Sequence, residues 1–84
     1  MNMFVANLNY RVRGEDLKGI FAEYGEVTSA RVIINRETGR SKGFGFVEMP
    51  NDAEAQKAIQ ELNGAEWEGK TLTVKVSEPR APQN

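Results

Sequence analysis

Cysteine and histidine are both missing from this sequence of 84 residues. Without cysteine there is no disulfide framework and no thiolate metal site, which fits a reducing compartment. Without histidine the chain lacks the commonest general base and the commonest metal ligand. No apolar run approaches the roughly 18 residues that span a membrane, and the N-terminus shows no charged-then-apolar signal pattern. A soluble, cytoplasmic protein is expected, with no cofactor, no membrane partner and no small-molecule substrate. The length suits one domain around one core.

Excess charge of either sign is also lacking. The net charge of −1 by itself argues against a polyanionic partner, but the distribution does not. Residues 15–26 sum to −3 and residues 51–69 to −4, so the rest of the chain carries +6. Acid is confined to two segments and base to the others, which implies an asymmetric surface.

Residues 3–7 are a short β-forming run. In "EDLKGIFAEYG", Leu17, Ile20, Phe21 and Tyr24 follow helical spacing and Gly25 stands at a helix end, although Arg13-Gly14 make a poor N-cap. "VTSARVII", 27–34, is strand-like; "NRETGRSK" is a turn-rich loop; "SKGFGFVEM", 41–49, is a strand broken by Pro50. A second helix is expected over 52–62, capped by Asn51 with Glu54 completing a capping box, its stripe Ala55, Ala58, Ile59 and Leu62, stopped by Asn63-Gly64. "TLTVKVS", 71–77, alternates as a half-exposed strand. Residues 1–78 form the expected domain and 79–84 a frayed tail.

The order βαββαβ places both helices on one side of a sheet, because such crossovers are right-handed. An α+β, ferredoxin-like sandwich follows, a four-stranded antiparallel sheet of order 4-1-3-2 with one face bare. Strand parity then sorts the side chains. Val5, Val32, Val47, Met49, Leu72 and Val74 can point at Leu17, Ile20, Phe21, Ala55, Ile59 and Leu62. Phe4, Phe44 and Phe46 are left on the bare face. Each ring forgoes roughly 1.5–3 kcal/mol of burial there, and three together make the kind of apolar patch that marks a binding surface. Glycines 43 and 45 keep the strand slim enough for backbone or ligand to approach. Arg31, Lys42 and Lys75 fall on or beside the same face, Ile33 shares it, and Arg36 and Arg40 sit in the loop at its edge. Aromatic rings ringed by cations suit unpaired bases and their phosphates.

"KGFGFVEM", 42–49, resembles the octamer Lys/Arg-Gly-Phe/Tyr-Gly/Ala-Phe-Val-x-Phe/Tyr of the RNA recognition motif at seven of eight positions. "MFVANL", 3–8, resembles the family's hexamer, and the spacing and "LNG" at 62–64 also fit. The likeness spans about residues 2–78 and is similar to the small single-domain RNA-binding proteins of bacteria. The resemblance implies single-stranded RNA as partner, with single-stranded DNA left open, and a role in post-transcriptional regulation by a monomer. It implies stacking of bases on Phe4 and Phe46, sugars against Phe44 and a phosphate on Lys42. Asn7, at the end of the hexamer, joins the expected contacts. Base reading would fall to Thr73, Lys75, Ser77, Arg80 and Glu78. Met49 and Met3 depart from the usual residues, but their parity points inward.

Other readings carry less weight. "GAEWEGKT", 64–71, fits a phosphate-loop pattern, yet a helix precedes it and a strand follows, the reverse of what phosphate binding needs. Carboxylates do not converge, so no enzyme is expected. Trp67, Tyr24 and Tyr10 are expected to pack rather than to bind. The rival function is a protein-interaction module using the same sheet or the acidic helix face.

Overall fold

The computed structural model describes residues 1–77; Glu78 and Arg80, proposed above as base readers, and the tail 79–84 lie outside the described residues. The elements are β1 (Asn2–Ala6), α1 (Gly14–Ala22), β2 (Ser29–Ile34), β3 (Ser41–Glu48), α2 (Asp52–Leu62), β4 (Glu66–Trp67), β5 (Lys70–Thr71) and β6 (Thr73–Val76). Strands β2-β3-β1-β6 form one sheet, and every pairing in it is antiparallel. This is the expected order 4-1-3-2 with β6 as the fourth strand.

Both helices cover one face because each offers an apolar stripe. Leu17 and Phe21 of α1 and Ala55 and Ala58 of α2 are buried against Met3, Val5, Val47, Met49, Leu72 and Val74. Ile20, Tyr24, Val32, Ile59, Leu62 and Trp67 pack around that core while partly exposed. Met3 and Met49, the two departures from the family pattern, are fully buried.

The helix starts differ in a way the residues explain. Asn51 Oδ1 accepts from the Glu54 N–H at 3.0 Å, the expected cap. The second half of the capping box is diverted: the Glu54 carboxylate instead accepts from the Glu26 N–H at 3.3 Å, tying α2 to the loop after α1. Gly25 belongs to this contact, since a Cβ there would collide with the Glu54 side chain. At α1, the Arg13 carbonyl accepts from the Leu17 N–H at 3.0 Å, but its guanidinium carries donors only and cannot cap the free helix N–H groups. Asp16 compensates by accepting from the Arg13 N–H at 2.9 Å.

The segment 71–77, expected as one strand, is divided. Thr71 pairs with Glu66 in the β4–β5 hairpin. Leu72 turns back, its N–H donating to the Ala65 carbonyl and its own carbonyl accepting from the Gly64 N–H, both at 2.8 Å. Glu68 and Gly69 at the hairpin tip both have positive φ, +53° and +78°, the backbone of a tight hairpin turn. The phosphate-loop-like stretch is therefore a β-hairpin. Asn63 then fixes β6 to the end of α2, its Oδ1 accepting from the Val74 N–H at 3.0 Å.

Candidate nucleic-acid interface

The register aligns the exposed face in rows. Arg31 of β2 lies opposite Phe46 of β3, Phe46 opposite Phe4 of β1, and Phe4 opposite Lys75 of β6. One row thus reads cation, ring, ring, cation across all four strands. The next row sets Phe44 opposite Ala6 and Ala6 opposite Thr73. The small side chain of Ala6 leaves room between them.

The three rings pack on one another without being sealed. Phe4 lies 5.6 Å from Phe44 and 5.6 Å from Phe46, at interplanar angles of 44° and 54°. Phe44 and Phe46 meet edge to face at 6.3 Å. These are favourable aromatic separations, worth about 0.5–1.5 kcal/mol each beyond area burial. Each ring remains half-buried on the face away from the helices. The Arg31 guanidinium stands 6.0 Å from the Phe46 centroid, at the outer limit of a cation–π contact. It flanks the ring with positive charge.

Two glycines shape β3 for different reasons. A Cβ on Gly45 would collide with the Arg31 carbonyl and come within 3.0 Å of the Val32 Cα, so Gly45 admits the neighbouring strand, not a ligand. Gly43 has φ +83°, which favours glycine, and its N–H is held by Ser41 Oγ at 3.0 Å. Here β2 advances from Val32 to Ile34 while β3 runs from Gly45 back to Ser41, an irregularity two residues deep. Lys42 nonetheless stays exposed, in step with Phe44 and Phe46 and opposite in phase to the buried Gly43, Gly45 and Val47. Lys42 and Arg40 line a shallow groove at the β2 edge, shared with Arg13, Glu15, Arg31 and Tyr10. Arg36 is exposed in the adjoining loop. Ile33 is half-buried opposite the irregularity.

Asn7 is exposed and ties the end of β1 to β5. Its φ of +63° is a conformation asparagine tolerates, and its side-chain amide donates to the Thr71 carbonyl at 2.7 Å. Asn9 similarly donates to the Glu68 carbonyl at 3.0 Å, so the loop after β1 is docked on the β4–β5 hairpin. Tyr10, expected to pack, is 69% exposed with Lys70 Nζ 6.0 Å from its ring centroid. The loop held by Asn7 and Asn9 lifts it outward. Trp67 packs against the core. Thr73 and Ser77 are half-buried and Lys75 is exposed along β6 and its end.

A third row went unnoticed in the sequence. Ser29 lies opposite Glu48 and Glu48 opposite Asn2, while the Ser77 N–H donates to the Asn2 carbonyl at 2.8 Å. With Arg31 and Phe46 these residues line a depression beside the rings. Glu48 shares the open face with Phe46, two residues before it, and the cross-strand register shows which side chains surround it.

A βαββαβ module with an aromatic, cation-flanked front is the class these features define. A sequence model of the RNA recognition motif matches residues 3–73. The chain belongs to the RNA recognition motif family. It is 51% identical over 80 residues to RbpB of Nostoc sp., covering 95% of this chain and 78% of that one. It is 53% identical over 78 residues to the chloroplastic 28 kDa ribonucleoprotein of Spinacia oleracea, covering 93% of this chain and 34% of that one. Among solved structures, the RNA binding protein PG1 superposes with a TM-score of 0.91 at 58% identity, covering 96% and 98% of the two chains. An Sxl-lethal protein/RNA complex superposes with a TM-score of 0.87 at 28% identity, covering 96% and 48%.

Proposed function

We propose that the chain binds single-stranded RNA across its open sheet face and acts in post-transcriptional RNA handling without a chemical step. The row Arg31–Phe46–Phe4–Lys75 carries this reading. Two rings on adjacent central strands offer successive stacking surfaces, each contributing about 1–3 kcal/mol per base. Cations at both ends of the row meet the phosphates that enter and leave. Phe44 packs against sugar, and Thr73, Lys75 and Ser77 supply polar contacts along β6. Lys42, Arg36 and Arg40 extend the positive charge beyond the rings toward the β2 edge. The likeness to PG1 and to the RNA-bound Sxl-lethal protein supports the same ligand class. A protein-interaction role has no comparable support, since the aromatic positions that RNA stacking needs are all intact.

A single module of this kind reads about two to four nucleotides, and a monomer suffices for that. With two or three phosphates neutralised, log K against log salt should fall with a slope of about −1.5 to −2, so affinity drops roughly tenfold between 50 and 200 mM salt. Titrating a random single-stranded RNA pool at four salt concentrations measures the slope. A slope near zero would remove the phosphate contacts from the mechanism, and absence of binding would remove the reading itself.

A further inference from the structure

Glu48 is out of place on a surface meant for a polyanion. Among the described strand positions of the open face it is the one carboxylate, the others being aromatic, small, polar or cationic. Repulsion from phosphate makes such a group unfavourable there unless something on the ligand answers it. Nothing among the described residues does so. The Glu48 carbonyl accepts from the Thr28 N–H and from Thr28 Oγ1, but its carboxylate has no hydrogen bond or ion pair among the described residues. The side chains of Ser29 and Asn2, its cross-strand neighbours, are likewise uncommitted among the described residues. Three free polar groups therefore lie in one row at the rim of the Phe46 ring, in the depression that Phe46 itself helps to line.

Resting on the RNA-binding reading, we propose that Glu48, with Asn2 and Ser29, selects guanine as the base stacked on Phe46. Residues two apart on a strand face the same side about 6.6 Å from one another, so a base lying on Phe46 brings its edge over residue 48. A carboxylate only accepts hydrogen bonds and can take two in parallel. Guanine alone presents two adjacent donors on its pairing edge, N1–H and the N2 amino group. Its O6, next to them, accepts from the Asn2 amide or the Ser29 hydroxyl. Adenine and cytosine offer one amino donor beside a ring-nitrogen acceptor that faces the second carboxylate oxygen. Uracil offers one N–H between two carbonyls and is repelled on both sides. The repulsion that makes Glu48 unfavourable toward phosphate thereby becomes discrimination among bases.

The test uses the full chain and four labelled heptaribonucleotides, UUUXUUU with X as G, A, C or U, titrated by fluorescence anisotropy. A short strand slides to its best register, so a guanine-selective site shows itself wherever it lies. A good bidentate contact discriminates by roughly 5- to 150-fold, and the G-containing strand should bind wild type at least about fivefold tighter than the other three. In Glu48→Gln that advantage should shrink to about twofold or less, because one acceptor becomes a donor, while the all-uridine strand binds as well as before or better. The thermal midpoint of the variant should match wild type, the side chain being exposed. Equal binding of all four strands by wild type, or a guanine preference that survives in Glu48→Gln, overturns the proposal. Failure of wild type to bind any of the four overturns both this inference and the RNA reading beneath it.

Discussion

Replacing Phe4 and Phe46 together by alanine is expected to weaken binding of single-stranded RNA by at least about 30-fold while the domain stays folded. Each ring supplies about 1–3 kcal/mol of stacking per base, so the pair contributes at least about 2 kcal/mol, and 1.4 kcal/mol is a factor of ten. What remains is the electrostatic part from Arg31, Lys75 and the loop cations, so the residual binding of the double variant should be the more salt-sensitive fraction. The fold survives because both rings stand outside the helix-covered core and touch chiefly one another and Phe44. Circular dichroism and anisotropy on the same sample check the two halves of the expectation. Unchanged affinity in a folded double variant would place the ligand elsewhere.

The second large effect concerns a phenylalanine of opposite role. Phe21 on α1 is 0% exposed, and its removal leaves a cavity between helix and sheet. Phe21→Ala should cost about 3–5 kcal/mol of stability. An 84-residue domain holds roughly 4–13 kcal/mol in all, so this one substitution removes at least about a quarter of it. With a urea m-value of about 1–1.5 kcal/mol/M for a protein this small, the midpoint should fall by about 2–5 M. A fall below about 0.5 M would mean that α1 does not pack as described. The contrast with Phe4 and Phe46 is informative: one residue type, sorted by helix stripe or strand parity, either holds the fold or meets the ligand.

That sorting is why so much of the site was legible in the sequence. A strand repeats every two residues, so "KGFGFVEM" commits Phe44 and Phe46 to one face as soon as Val47 and Met49 are needed on the other. The helices declare themselves by stripe and stop, and with only two of them one sheet face must stay bare. Chain order and crossover handedness then give the strand order. All of these are short-range or topological rules, readable without coordinates.

The features that escaped the reading depend on cross-chain geometry. Alternation from Leu72 onward conceals the division between β5 and β6, because Leu72 keeps its inward parity while its backbone turns back to Ala65. Glu54 satisfied a capping-box spacing, yet its carboxylate found the Glu26 N–H, 28 residues away. The regular alternation of residues 41–48 conceals the positive φ of Gly43 and the irregular register with β2. The bond from the Asn7 side-chain amide to the Thr71 carbonyl joins residues 64 positions apart. The Ser29–Glu48–Asn2 row needed the register of three strands at once.

The most direct measurement is to follow backbone amide and phenylalanine ring resonances of the full chain by NMR as a short single-stranded RNA is added. The ring signals of Phe4, Phe44 and Phe46 and the amides of β1, β2, β3 and β6 should shift, with the largest changes along the row from Arg31 to Lys75. Residues on the outer faces of α1 and α2 should stay in place. Shifts concentrated on the helices, with the three rings unmoved at saturating RNA, would contradict an interface on the open sheet.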